Sequence, residues 1–127
     1  MIVVDHIRRR QPTACLAMPA SATIDLAELR NAADAACRLL KTLSNPDRLL
    51  LLCRLAQGEA CVGELETELG ITQPTLSQQL GVLRDEALVG TRREGKRIHY
   101  RLESESALAV IATLQSQFCP TPKEKLQ

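Results

Sequence analysis

Aromatic residues are almost missing from this chain of 127 residues: there is one Tyr, one Phe and no Trp. Strand-rich folds draw on aromatic and β-branched side chains, so an all-β architecture is disfavoured. No apolar run approaches the roughly 18 residues that a membrane span needs, and no transmembrane helix is expected. Net charge is nearly absent as well, with 16 Lys+Arg against 15 Asp+Glu, which gives no global sign of a nucleic-acid or anionic-membrane binder. The five cysteines contain no Cys-x-x-Cys, which disfavours zinc ribbons and thioredoxin-type motifs. Their odd number suits a reducing cytoplasm better than a disulfide scaffold. The start, MIVVDHIRRR, leads into no apolar stretch of signal-peptide length, so export is not expected.

What the chain has in quantity is Leu, at 21, and Ala, at 15. Both lose little entropy in a helix, so the fold should be mainly helical. The length and the 45% apolar content support one domain with a real core. Counted by segment, the charge is far from even. Residues 61–90 carry one positive and five negative groups, whereas residues 91–102 carry Arg92, Arg93, Lys96, Arg97 and Arg101 against Glu94 alone.

Residues 1–22 show no periodicity, contain Pro12 and Pro19, and read as a flexible arm. From Asp25, the residues Leu26, Leu29, Ala33, Ala36, Leu40 and Leu43 form a heptad stripe on one helix. Ser44-Asn45-Pro46-Asp47 stops that helix and starts another, with Asn45 as N-cap and Pro46 at the first helical position. The second helix, through Gln57, is apolar almost all round and should be central to the core. Gly58 ends it, and Cys61-Val62-Gly63-Glu64 resembles a capping box with Cys in place of Ser or Thr. A short helix closes at Gly70, and Thr72 caps another that runs to about Ala87 with Leu76, Leu80 and Leu83 inward. After Leu88 the pattern alternates, with Ile98, Tyr100 and Leu102 on one side and Arg97, His99 and Arg101 on the other. Glu94-Gly95 turns this run back on residues 89–93, making a two-stranded hairpin with a basic tip. Residues 104–119 are helical again, Pro120 ends them, and residues 120–127 form a tail.

Two helices joined by Gly70-Ile71-Thr72 and followed by a basic hairpin match a winged helix-turn-helix, spanning residues 23–119. The second of those helices exposes Gln73, Thr75, Ser77 and Gln78, the small polar residues that base reading requires. Arg92, Arg93, Lys96 and Arg97 of the hairpin would meet phosphates, as would Arg84, while the alternative is a merely solvated basic hairpin. No Arg on the first turns is placed to read guanine, so an A·T-rich half-site is expected. The stripes on the first and last helices are too long for one small domain to cover. Either an isologous homodimer buries them or they pack within the subunit. A dimer would present two recognition helices about 34–36 Å apart, one turn of DNA.

The run from SNPDRL through CVGELETELGITQPTLSQQLGVLRDEALVGTRREGKRIHYRL resembles the ArsR/SmtB family of dimeric bacterial repressors over residues 25–119. Within it the chain is most similar to the persulfide-sensing branch, the SqrR, BigR and YgaV type. That branch carries one cysteine in a pattern like RLLLLC and one in a pattern like QSQFC, here Cys53 and Cys119. The family's metal sites are incomplete: CVGEL keeps only Cys61, with Gly63 at the second position, and residues 103–119 hold no His. No metal or other cofactor is therefore expected.

The resemblance implies a cytoplasmic, non-enzymatic repressor of double-stranded operator DNA, with reactive sulfur species as inducer and Cys53 and Cys119 as sensing thiols. A disulfide needs Cα atoms about 4.4–6.8 Å apart, and each inserted sulfur adds reach, so a polysulfide bridge could span a wider gap. Cys53 on an apolar helix also reads as a small core residue. Cys61, at a helix N-terminus, is a possible accessory thiol. Cys15 and Cys37 read as incidental, and His99 as a surface or phosphate contact. An arsenite- or peroxide-responsive repressor, or a constitutive DNA binder, remains the alternative. For an enzyme or redox carrier there is no Cys-x-x-Cys, no evident Cys–His pairing and no cofactor loop.

Overall fold

The computed structural model describes residues 24–120. The arm expected at residues 1–22, with His6 and Cys15, and the tail after Pro120 lie outside the described residues. The chain divides into two units between Ala35 and Ala36, within its first helix. The core and both candidate sites belong to the unit that begins at Ala36.

That first helix, α1, is Leu26–Leu43. Asp25 starts it, its carboxylate accepting from the Ala27 N–H at 3.1 Å. Along its stripe Leu26, Leu29 and Leu40 are exposed and Leu43 is buried. Helix α2, Pro46–Leu55, begins as the sequence predicts: the Asn45 side chain accepts from the Arg48 N–H at 3.1 Å, and Pro46 occupies the first turn. It ends at Leu55 rather than Gln57. Its apolar surface is not buried all round either: Leu51, Leu52 and Leu55 are buried, while Leu50 is 46% exposed. A run of four leucines covers the full circumference of a helix, and one domain this small has core on only part of it.

The next element departs from expectation. Ala60–Cys61 forms a short strand, β1, which pairs antiparallel with the second strand of the wing. The wing strands are β2, Val89–Glu94, and β3, Arg97–Leu102, and the sheet order is β1-β3-β2. The expected two-stranded hairpin of β2 and β3 is present, and β1 adds to it a third strand that the sequence did not reveal. Two residues are too few for an alternating pattern to register, and Cys61 doubles as a helix cap.

Helix α3, Val62–Leu69, starts from Cys61 with the predicted capping box: the Cys61 backbone N–H donates to the Glu64 carboxylate at 2.9 Å, and the Cys61 side chain faces the Glu64 N–H. Gly70 ends it at φ 68°, the left-handed conformation that glycine adopts freely. Helix α4, Gln73–Asp85, follows with Thr72 at its N-cap position, although the Thr72 hydroxyl makes no capping bond. Its C-terminus falls before Ala87, which takes φ 60° so that the Leu88 N–H can reach the Leu83 carbonyl at 2.9 Å. Helix α5, Glu105–Phe118, is capped by the Ser104 hydroxyl, which accepts from the Ala107 N–H at 3.1 Å.

Leu51 and Leu52 of α2, Leu65 of α3, Leu76, Leu80 and Leu83 of α4 and Ile111 of α5 are fully buried in one cluster. Each such burial is worth about 1.5–3 kcal/mol. Because α4 supplies three of these residues, its inner face is anchored and its outer face is left for solvent or a ligand. Among the described residues no helix is long and apolar enough to cross a membrane.

Candidate nucleic-acid interface and the thiol pair

Helix α4 and the wing meet at an open groove of about 740 Å³. Gln73 and Ser77 line it from the first turns of α4, Lys96 and Arg97 from the wing tip, and Glu64 and Glu68 from α3. The Ser77 hydroxyl lies 3.3 Å from the Gln73 amide oxygen, so the two polar side chains form one array. Gln78 is exposed and Thr75 half-buried, and neither lines that groove. Of the four residues proposed to read bases, the structure thus brings Gln73 and Ser77 next to the wing cations and sets Thr75 and Gln78 apart.

The wing cations divide as well. Gly95-Lys96 links the two strands, with Gly95 at the positive φ of 62° that a two-residue hairpin turn demands. Arg93, Lys96 and Arg97 are exposed. Arg92 is engaged: its guanidinium donates to Glu59 at 2.6 and 3.1 Å and lies 3.6 Å from Glu94. The hydrogen bond from Arg92, opposed by partial burial and aided by the positive charge nearby, holds the Glu59 carboxyl below its usual range. Glu59 lies in the turn before β1, and nothing in its sequence neighbourhood indicated a partner 33 residues away.

The third strand also moves His99 out of its expected role. On β3, His99 stands opposite Cys61 on one side and Arg92 on the other. Its side chain is only 15% exposed, and its Nε2 lies 3.3 Å from Glu94 without the alignment for a hydrogen bond. His99 is therefore a half-buried residue at the root of the wing and not a surface phosphate contact. The facing pair Cys61 and His99 was invisible in the sequence because it depends on β1.

Cys53 and Cys119 come from separate helices. Cys53 is half-buried on α2 and packs against the core cluster, whereas Cys119 is exposed at the end of α5. Pro120 disfavours helical geometry at the residue before it, and Cys119 accordingly leaves the helix with ψ 142°. Burial pushes the Cys53 thiol up, a hydrogen bond from the Gln115 side chain offsets part of this, and negative charge on Cys119 pushes it up further. Helices α2 and α5 pack against each other, so Cys53 and Cys119 of one chain belong to neighbouring helices, and Gln115 stands one turn before Cys119. All four described cysteines are free, Cys37 being exposed and Cys61 buried. Among the described residues no three His, Cys, Asp or Glu side chains form a group able to hold a metal ion.

Residues 45–91, which run from the cap of α2 into β2, match the model of the arsR family of bacterial regulatory proteins. The chain is 53% identical over 103 residues to a biofilm growth-associated repressor of Agrobacterium fabrum, an alignment that covers 81% of this chain and 87% of that protein. The chain belongs to the ArsR family. The fold agrees: the crystal structure of the transcriptional repressor BigR from Xylella fastidiosa superposes with a TM-score of 0.70 at 48% identity, covering 77% of this chain and all of that one. A homodimeric winged helix-turn-helix DNA-binding domain from Mycobacterium bovis superposes at 0.61 with 35% identity, over 78% of this chain and 89% of that domain. As an ArsR-family protein this chain is a DNA-binding regulator and not an enzyme, with a winged helix-turn-helix fold to which α3, α4 and the sheet contribute.

Proposed function

We propose that this protein is a cytoplasmic, homodimeric transcriptional repressor that holds an inverted-repeat operator while its thiols are reduced and releases it when Cys53 and Cys119 are bridged through sulfur. The observation that carries this reading is the packing of α2 against α5, which sets the free Cys53 and the free Cys119 of one chain on neighbouring helices. Repression is supported by the 53%-identical relative, itself a repressor. The homodimer is supported by the domain from Mycobacterium bovis and by the exposed leucines Leu26, Leu29 and Leu40 on α1 and Leu108 on α5. An isologous interface would cover those faces and set two copies of α4 about one DNA turn apart.

In the DNA-bound form Gln73, Thr75, Ser77 and Gln78 face the major groove, and Arg93, Lys96 and Arg97 contact phosphates, with Arg92 shared between DNA and Glu59. The inducer is a polysulfide. The thiolate of exposed Cys119 attacks an inner sulfur of an inorganic tetrasulfane and expels hydrogen sulfide, leaving a chain of sulfurs on Cys119. The Cys53 thiolate then attacks that chain and expels a second hydrogen sulfide, so two thiols and one tetrasulfane yield a bridge with two inserted sulfurs. The polysulfide is the oxidant, and no other is needed. The bridge joins α2 to the end of α5 and changes how the dimer helices set the spacing of the recognition helices.

Intact mass after polysulfide treatment tests this directly. A bridge with two added sulfurs and two hydrogens lost is the expected product; it should be absent in Cys53→Ser, where sulfur stays as an open chain on Cys119, and in Cys119→Ser, and both variants should keep their DNA in gel shifts. Loss of two hydrogens alone would replace persulfide by peroxide as the signal. An unmodified protein that stays on DNA would leave a constitutive binder.

A further inference from the structure

Arg48 stands on the first turn of α2 and reaches two other helices. Its Nε donates to the Thr42 carbonyl at 2.7 Å, and its Nη1 donates to the Gln79 amide oxygen at 3.0 Å. Thr42 lies in the last turn of α1, where carbonyls have no partner within the helix, and its own hydroxyl is spent on the Arg38 carbonyl at 3.1 Å. Gln79 lies midway along the recognition helix. All three residues are at least half-buried, and a charge-assisted bond between such groups is stronger than one between neutral partners.

We propose that Arg48 is a positioning residue for DNA reading, which locks the recognition helix α4 to the end of α1 and fixes the Gln79 amide in one orientation. Arginine has no acceptor, so it must meet the oxygen of Gln79 and leaves only the NH2 free to bond elsewhere. A bidentate pair with adenine needs both amide groups, and Gln79 is thereby denied it, while Gln78 is not, and Gln73 shares its oxygen only with the rotatable Ser77 hydroxyl at 3.3 Å. A second tie acts at the far end of α4: Arg38 of α1 meets the C-cap residue Glu86 at 2.7 and 3.3 Å. Helix α4 is thus held to the same end of α1 at two points, and Arg48 shares α2 with Cys53. A change imposed on α2 by a sulfur bridge reaches the reading helix through this residue.

The assignment rests on DNA binding through α4, and its test separates the two. Full-length protein is titrated, over a salt series, with a duplex selected from a random library by the wild type and with a scrambled duplex. Arg48→Met should lower the ratio of the two affinities by about tenfold or more and leave the salt slope on the scrambled duplex unchanged. Gln79→Met should give the same fall, and the double variant should be no worse than either single one. A slope reduced by about one unit in Arg48→Met would make Arg48 a phosphate contact and overturn the assignment. So would an unchanged ratio in both variants. If Arg48→Met loses its helical circular dichroism, Gln79→Met decides alone, an unchanged ratio overturning the assignment. Wild-type protein that selects no duplex overturns the DNA-binding reading, and the assignment with it.

Discussion

Glu59 grips Arg92 through its carboxylate, with Nη2 at 2.6 Å and Nε at 3.1 Å from the same oxygen. One of the wing's cations is thereby occupied before any DNA arrives, by a carboxylate from the turn before β1. A phosphate that takes Arg92 must displace Glu59, so the net gain is smaller than at Arg93, Lys96 or Arg97.

Glu59→Gln should therefore tighten binding to any duplex severalfold and steepen the salt dependence by about one unit, because one more cation is free for phosphate. Arg92→Ala should flatten the slope less than Arg93→Ala does. The Glu59 carboxyl is held below its usual range by Arg92, so the pair persists above the normal carboxylate range and is lost only as pH falls through that lowered value. Near neutral pH the pair is intact, and only the substitution exposes its effect. Equal slopes for the Arg92 and Arg93 variants in salt titrations would refute the pairing as a determinant of affinity.

The two thiols proposed to sense should react at different rates. Cys53 is half-buried with its thiol pushed up chiefly by burial, whereas Cys119 is exposed. In timed alkylation near neutral pH followed by mass spectrometry, Cys119 should label first. Cys53 should catch up as pH rises through its raised value or when the protein is unfolded. Gln115→Ala, which removes the side chain that favours the Cys53 thiolate, should slow Cys53 further. Equal labelling of both thiols in the folded protein would show that burial does not control Cys53.

Gly90 faces the Glu103 carboxylate so closely that a Cβ there would overlap it. Arg101 holds Glu103 in that place at 2.6 Å. Because the obstacle is the end of a flexible, exposed side chain, Gly90→Ala should cost no more than about 1 kcal/mol, the worth of a surface pair. In a Glu103→Ala background the sign should reverse, since alanine then restricts only the unfolded chain. Urea denaturation of the four proteins measures both effects, and a cost that persists without Glu103 would contradict the geometry.

Ala87 holds φ 60° so that α4 can close against Leu88. A left-handed residue other than glycine carries roughly 1–2 kcal/mol of strain, so Ala87→Gly should raise stability by about 1 kcal/mol. A lower denaturation midpoint in the glycine variant would mean that the strain is relieved by contacts the alanine methyl makes.

Leu80 is 1% exposed at the centre of α4. Leu80→Ala should cost about 2–5 kcal/mol in equilibrium unfolding, through lost burial and the cavity left behind. It should also lower the affinity for selected DNA more than for scrambled DNA, since the same residue seats the reading face. A cost under 1 kcal/mol would show that the cluster can collapse around the gap.

Most of the helical scaffold was legible in the chain because its signals are local. Asn45-Pro46, Gly70 and Ser104 mark helix ends within a few residues of the bonds they make, and Leu76, Leu80 and Leu83 repeat at the period of one helix face. The ends that were misplaced, at Leu55 and Asp85, are those where the backbone turns in response to what it packs on. Strand β1 was missed because two residues carry no period, and with it went the pairing of Cys61 with His99.

The amino-acid sequence by itself determined the order of elements, the inward faces of α3 and α4, the basic wing and the presence of two widely separated cysteines. Those properties are set by residue type and spacing along one segment, where propensity, capping and hydrophobic period act over a few residues. Tertiary structure alone decided which charges are free and which thiol-bearing helices pack together. Arg92 is bound to Glu59 across 33 residues of chain and Arg48 to Gln79 across 31, and Cys53 sits on a helix packed against the one that ends beside Cys119. Coulombic and hydrogen-bonding forces act over a few ångströms, and no pattern in the chain records a distance that only folding creates.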